Sequence, residues 1–91
     1  MSSTDQKIEK LGFIKLIDDY NTTIYQRLNP DHHFVHRVSL IRSNDDNYIL
    51  KSEEWDGIHT KDARTIGLTD KERRLFDKRI EEKKSQKRVS P

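Results

Sequence analysis

Four short segments rich in β-branched and aromatic residues constrain the fold of this chain more than any other feature. They are Phe13–Ile17, Thr22–Leu28, the segment HFVHRVSLIRS at 33–43 and the segment YILKSEEW at 48–55. Such side chains favour strands, whereas the intervening sequences DDYN, NPD and NDDN favour turns. Consecutive strands joined by short turns predict an antiparallel meander.

A short helix precedes these segments, and a polar connector follows them. Ser3 and Gln6 have the spacing of a capping box, and Gly12 fits the position just after a helix end. The connector, residues 56–67, is bracketed by glycines and has few apolar side chains. We predict one helical turn within it, near Thr60.

The clearest helical pattern is LTDKERRLFDKRIEEKK at residues 68–84. Thr69 and Glu72 form a capping box at its start, and apolar side chains recur on one face. The sequence therefore predicts an α+β fold: a short N-terminal helix, a four-stranded antiparallel meander sheet and a C-terminal helix packed on one face. We place this single small domain at residues 1–84 and a mobile basic tail at residues 85–91.

The composition narrows the class of protein. Charged residues make up 37% of the 91-residue chain, hydrophobic residues 31%, and there is no cysteine. Disulfides and thiolate metal sites are therefore excluded. The first ten residues lack the pattern of a signal peptide, and no apolar run reaches membrane-spanning length. We expect a cytoplasmic protein that does not contact a membrane.

Three histidines lie within five positions, just before and inside the third segment. In a helix, His32 and His36 would lie one turn apart and could share a metal ion with His59 or a distant acid. In a strand they would lie about 13 Å apart, and His33 would point to the opposite face. Because the residues from Phe34 onward favour a strand, we predict no metal site.

A small ribonuclease-like enzyme is a further hypothesis, because phosphodiester cleavage needs an acid, a base and a cation at the oxyanion. His36, Arg37, His59 and Lys61 could supply those groups. The chain has no nucleophile elbow, P-loop or zinc-protease motif, however. We therefore predict no catalytic residue and no cofactor.

Positive charge is concentrated at the C-terminal end of the chain. Residues 71–91 carry nine Lys and Arg against four Asp and Glu. The candidate phosphate contacts are Lys78, Lys83, Lys84, Lys87 and Arg88. Acidic side chains in the same helix and a net charge of only +2 for the whole chain count against a nucleic-acid module.

Three aromatic side chains are candidates for a protein interface: Trp55, Tyr25 and Tyr48. Trp55 ends the fourth segment and either fills the gap between sheet and C-terminal helix or anchors a partner. Tyr25 and Tyr48 lie at strand spacing, which is typical of a core and also of base-stacking sheet surfaces.

The segments IEKLGF and TIYQR, followed by a meander and a charged C-terminal helix, resemble small phage- or prophage-encoded proteins of low-GC Gram-positive bacteria. The resemblance covers the general build of most of the chain and assigns no role to any residue. Proteins of that kind often bind a host or phage protein, which implies an accessory protein with a protein partner.

Together these observations predict a non-enzymatic binding module that contacts a protein partner or a second copy of itself. The open sheet face, an edge strand and Trp55 would make the contact. Nucleic-acid binding through the C-terminal helix and tail is the alternative, and a metal-dependent or ribonuclease-like enzyme is the third hypothesis.

Overall fold

The computed structural model describes residues 3–29, 34–43, 47–56 and 60–87. Two α-helices flank five strands along the chain. In order, the elements are α1 (Ser3–Lys10), β1 (Ile14–Asp18), β2 (Thr22–Asn29), β3 (Phe34–Arg42), β4 (Tyr48–Trp55), a 3₁₀ turn (Thr60–Asp62), β5 (Arg64–Thr65) and α2 (Asp70–Lys87). The α+β class, the antiparallel sheet and the 3₁₀ turn near Thr60 agree with the predictions from sequence.

The sheet has five strands, so the prediction of four is wrong. The strands lie in the order β1-β2-β3-β4-β5, and each pairs antiparallel with its neighbour. Strand β5 falls in the segment predicted to be a connector. Arg64 pairs there with Glu54, and the backbone NH of Ile66 donates to the carbonyl of Ser52 at 3.2 Å. A strand of two residues is too short to show a period in the sequence.

The register divides the strand side chains between two faces. Tyr25 pairs with Val38, and Val38 pairs with Ser52, so these three residues share one face. Tyr25 and Val38 are fully buried in an apolar cluster that also contains Phe76 and Ile80 of α2. We call this side of the sheet the core face and the other side the open face.

Strand β3 shows the predicted alternation. His36, Val38 and Leu40 are buried on the core face, whereas Ile41 on the open face is exposed. Ser39 also lies on the open face but is buried, so burial follows the alternation only in part. The extended conformation of Phe34–Arg42 confirms the prediction of a strand in this segment.

Capping residues fix the ends of both helices. Helix α1 is closed by Gly12, whose φ of 99° is strained for residues with a side chain, and whose NH donates to the carbonyl of Glu9 at 2.9 Å. At the start of α2 the predicted capping box is present in both directions. The NH of Thr69 donates to Glu72 Oε1 at 2.9 Å, and the NH of Glu72 donates to Thr69 Oγ1 at 3.1 Å.

Helix α2 continues to Lys87, three residues beyond the predicted domain boundary at Lys84. Of the predicted tail, residues 88–91 lie outside the described residues. Neither α1 nor α2, the two α-helices in the part of the chain that the structure describes, combines the length and hydrophobicity needed to cross a membrane.

Candidate functional site

The open face of the sheet carries large apolar side chains that contact water. Ile14 is 65% exposed, Leu28 64% and Ile49 56%. The register places further apolar side chains on the same face: Ile17, Ile24, Val35 and Ile41. Polar side chains interrupt this apolar surface, because the register places Gln26, Arg37, Ser39 and Lys51 in the middle of the same face. Several large apolar side chains exposed on one sheet face are still typical of a binding surface.

The charged side chains of the open face are paired within the face itself. Arg37 donates to Gln26 Oε1 at 2.9 Å and places its guanidinium 4.6 Å from the ring centre of Trp55. Lys51 Nζ lies 3.6 Å from Glu53 Oε2 on the same strand. Arg37, Lys51 and Glu53 together leave this face with one net positive charge, and the Arg37 guanidinium is held by an amide and an aromatic ring.

Strand β1 forms one edge of the sheet, and its pairing with β2 is irregular. The register shifts between Lys15 and Ile17, which is the pattern of a β-bulge. A bulge twists the edge and interrupts the row of backbone groups that an added strand would need. The face of the sheet is therefore a better candidate surface than its edge.

A buried polar cluster joins both helices to the core face. Asp5 of α1 accepts hydrogen bonds from the hydroxyl of Tyr25, from Arg79 Nε at 3.2 Å and from Lys15 Nζ at 2.9 Å. Burial alone would raise the pKa of Asp5, but the Tyr25 and Lys15 hydrogen bonds and the Arg79 charge outweigh it, so this pKa lies below its usual value. The carboxylate is thus held ionised inside the protein.

The same cluster extends to the end of β1 and into α2. Arg79 Nη2 lies 3.4 Å from Asp18 Oδ1, and Lys83 Nζ donates to the carbonyl of Asp19 at 2.9 Å. Burial lowers the pKa of the Lys83 ammonium and outweighs the attraction of Asp18. Each cation of the cluster has an anion or a carbonyl beside it. We therefore interpret the cluster as a structural contact that holds α1 and α2 against the sheet.

A second group of polar contacts surrounds Phe13. Arg27 lies 4.3 Å above its ring, reaches Glu72 at 2.6 Å and donates to the carbonyl of Leu11 at 3.0 Å. His36 meets the same ring edge-on, with the two ring centres 5.4 Å apart. These contacts connect the start of α2 to the sheet.

The predicted interface residues occupy three different environments. Tyr25 is fully buried in the polar cluster, so a role in contacting a partner does not fit its position. Tyr48 is half-buried beside Lys83, whose Nζ lies 5.4 Å from its ring centre. Trp55 pairs with Val35 on the open face, so it does not fill a gap between the sheet and α2. It is also buried, with 8% of its surface exposed, which does not fit an anchor that stands out toward a partner.

The predicted phosphate contacts are also not brought together. Lys83 is buried, with 3% of its side chain exposed, and faces the sheet rather than solvent. Lys84 lies 3.5 Å from Glu81. Of the candidates whose side chains the structure describes, Lys78 alone is both exposed and without an ion pair. Arg88 and the side chain of Lys87 lie outside the part of the chain that the structure describes.

The histidines do not form a metal cluster within the described ranges, where no group of three or more His, Asp or Glu could hold an ion. His36 is buried and hydrogen-bonded to Ser52 Oγ at 2.8 Å. Burial and the nearby Arg27 charge lower the pKa of His36, which keeps the imidazole neutral. His32, His33 and His59 lie outside the described residues.

The described residues proposed for a ribonuclease-like enzyme do not converge. His36 and Arg37 are adjacent in β3 and therefore point to opposite faces of the sheet. Lys61 lies exposed in the 3₁₀ turn.

Sequence reasoning missed two features of this structure. The polar cluster around Asp5 and Arg79 was missed because its members are 74 residues apart in sequence. The exposed apolar residues of the open face were assigned to strands, but a period of two does not tell which face is covered.

Comparison with protein families, with curated proteins and with solved structures found no match to this chain.

Proposed function

We propose that this protein is a non-enzymatic binding module that pairs with a second copy of itself through the open face of its sheet. The observation that carries the proposal is the exposure of Ile14, Leu28 and Ile49 on the same face of the sheet. Burying such side chains against an apolar surface stabilises an interface by about 25 cal/mol for each Å² removed from water.

The dimensions of the face are compatible with a weak dimer. Strands lie about 4.8 Å apart and rise about 3.3 Å per residue, so four strands of roughly eight residues present about 500 Å². A standard interface buries about 800 Å² on each partner, so this contact falls at the small end of the range. We expect a dimer that dissociates on dilution into the micromolar range.

The charge distribution favours a second copy over a charged partner. Lys51 and Glu53 already neutralise each other, and Arg37 is held by Gln26 and Trp55. A largely apolar face whose charged side chains already have hydrogen-bond or ion-pair partners can pack on its own copy about a two-fold axis. Its single net positive charge offers little electrostatic attraction to a strongly charged partner.

Two parts of the proposed role rest on the sequence alone. The order of elements around IEKLGF and TIYQR supports an accessory protein of a phage or mobile element. The absence of cysteine, and so of the disulfides that stabilise many small secreted domains, supports a cytoplasmic location.

Sedimentation equilibrium over a dilution series tests the proposal. We expect the wild-type protein to shift from dimer to monomer on dilution and the Ile49→Lys variant to be monomeric throughout. Ser85→Lys adds the same charge on the exposed side of α2 and should dimerise like the wild type. A wild-type protein that is monomeric at every concentration, or an Ile49→Lys variant that dimerises normally, would refute the open-face dimer.

A further inference from the structure

A groove runs between α1 and the first turns of α2, and it is separate from the open face. It has a volume of about 800 Å³ and is lined by Lys7, Lys10 and Leu11 on one side and by Asp70, Lys71, Arg74 and Leu75 on the other. This volume falls in the range of about 300–1,000 Å³ that is typical of ligand-binding clefts.

The cations of the groove are not neutralised. Lys7 and Lys10 on α1, and Lys71 and Arg74 on α2, form two rows, and none has an ion-pair partner within the described ranges. Two other cations of α2 do have such partners, since Arg73 lies near Asp77 and Lys84 near Glu81. Like charges this close repel one another and cost helix stability.

The floor of the groove is apolar. Leu11 and Leu75 are half-buried, and each packs against the core cluster while leaving part of its side chain in the groove. A ligand that fills the groove would therefore meet aliphatic carbon at the base and positive charge on both walls. Only one carboxylate, that of Asp70, lies among the lining residues.

We propose that this groove binds an acidic peptide segment of a partner protein, with an apolar side chain of that segment seated on Leu11 and Leu75. Glutamate or aspartate side chains of the segment would pair with the lysines and with Arg74, whose guanidinium can hold a carboxylate through two hydrogen bonds. Such a ligand would pair with the cations of the groove and would bury its apolar side chain against the floor.

The lining chemistry favours a peptide over a nucleic acid. No aromatic ring lines the groove, so unpaired bases would have no stacking surface. Asp70 at the groove, and Asp77 on the exposed side of the same helix, would repel a phosphate backbone. A peptide can place its carboxylates on the cations and avoid these two positions.

Fluorescence anisotropy with a labelled synthetic peptide of glutamate and leucine tests this site in the full-length protein. We expect saturable binding that weakens as salt is added, because the contacts are largely between exposed charges. The double variant Lys10→Glu with Arg74→Glu should weaken binding by about tenfold or more, since like charges then face each other. The control Lys61→Glu with Lys84→Glu makes the same change in net charge outside the groove and should bind as the wild type does.

Two further measurements test whether the apolar floor contributes to binding and whether the ligand is a peptide or a nucleic acid. A peptide with serine in place of leucine should bind several-fold more weakly if Leu11 and Leu75 are contacted. Equal loss of binding in the groove and control variants, or tighter binding of a single-stranded RNA than of the peptide, would overturn the proposal. Because the four substituted positions are exposed or half-exposed, circular dichroism should show folded variants in each case.

Discussion

The hydroxyl of Tyr25, in the second strand of the sheet, donates a hydrogen bond to the carboxylate of Asp5 in the first helix. Arg79 of the last helix reaches both groups, with its Nε 3.2 Å from the Tyr25 hydroxyl and 3.2 Å from Asp5 Oδ1. Residues from α1, β2 and α2 thus meet at one buried point. The stability of the whole fold should depend on this contact, and the first two predictions below test it.

Removing the Tyr25 hydroxyl should destabilise the protein. In Tyr25→Phe the ring still fills its place in the core, but Asp5 loses one buried donor. We expect the free energy of unfolding, measured by urea denaturation, to fall by about 1–3 kcal/mol. Tyr20→Phe, which changes an exposed tyrosine, is the matched control and should leave stability within about 0.5 kcal/mol of the wild type.

Removing the Arg79 charge should cost more. Arg79→Met keeps most of the side-chain volume but leaves Asp5 with Lys15 as its nearby cation. Breaking a buried ion pair from one side typically costs about 3–5 kcal/mol, and thermal or urea unfolding would measure the loss. Arg73→Met removes the same charge at an exposed position and should be nearly neutral. Equal stability of the two variants would show that the cluster contributes little.

The capping box of α2 gives a third prediction. Thr69→Ala removes the oxygen that accepts the Glu72 NH, and we expect a loss of about 1 kcal/mol in the free energy of unfolding. Ser85→Ala changes an exposed hydroxyl within the same helix and should have no cost, because alanine favours helix. A Thr69→Ala protein as stable as the wild type would mean that the helix start is held by other contacts.

The burial of His36 predicts a pH dependence of stability. Its pKa is below 6.5 in the folded protein, because of burial and the Arg27 charge, and returns to about that value on unfolding. As pH falls through about 6.5 the unfolded chain takes up a proton that the folded protein does not, so stability decreases by up to about 1.4 kcal/mol per pH unit. Above this range the contribution of His36 should be constant.

Urea denaturation of the wild type and of His36→Gln at several pH values would measure this contribution. The difference between the two proteins should change between about pH 7 and pH 5, since the variant lacks the titrating group. At lower pH both proteins should lose stability further, because Asp5 and Glu72 also have pKa values below their ordinary ones, so the unfolded chain takes up protons before the folded protein does. A difference that does not vary with pH would contradict the assignment to His36.

The parts of the fold that the sequence predicts are those specified by local pattern. Strand β3 follows from its apolar alternation, and the start of α2 follows from Thr69 and Glu72, three positions apart. The turn at Gly12 likewise needs only neighbouring residues. Each of these features depends on contacts within a few positions of the chain.

The features that the sequence does not predict depend on distant contacts. Lys83 belongs to a run of charged residues that is typical of a solvated helix, yet it binds the carbonyl of Asp19, 64 positions away. Strand β5 exists because two residues align with Glu53 and Glu54 of β4. Trp55 could be placed on a strand but not on a face, since this depends on which side of the sheet the helices occupy.

The bulge in β1 has a consequence for how copies of this protein can associate. An unbroken edge strand permits each added molecule to offer a new edge to the next, which leads to fibrils. The irregular pairing between Lys15 and Ile17 opposes this route. A contact made face to face leaves no second apolar face exposed, so the proposed association ends at two molecules and does not grow into a polymer.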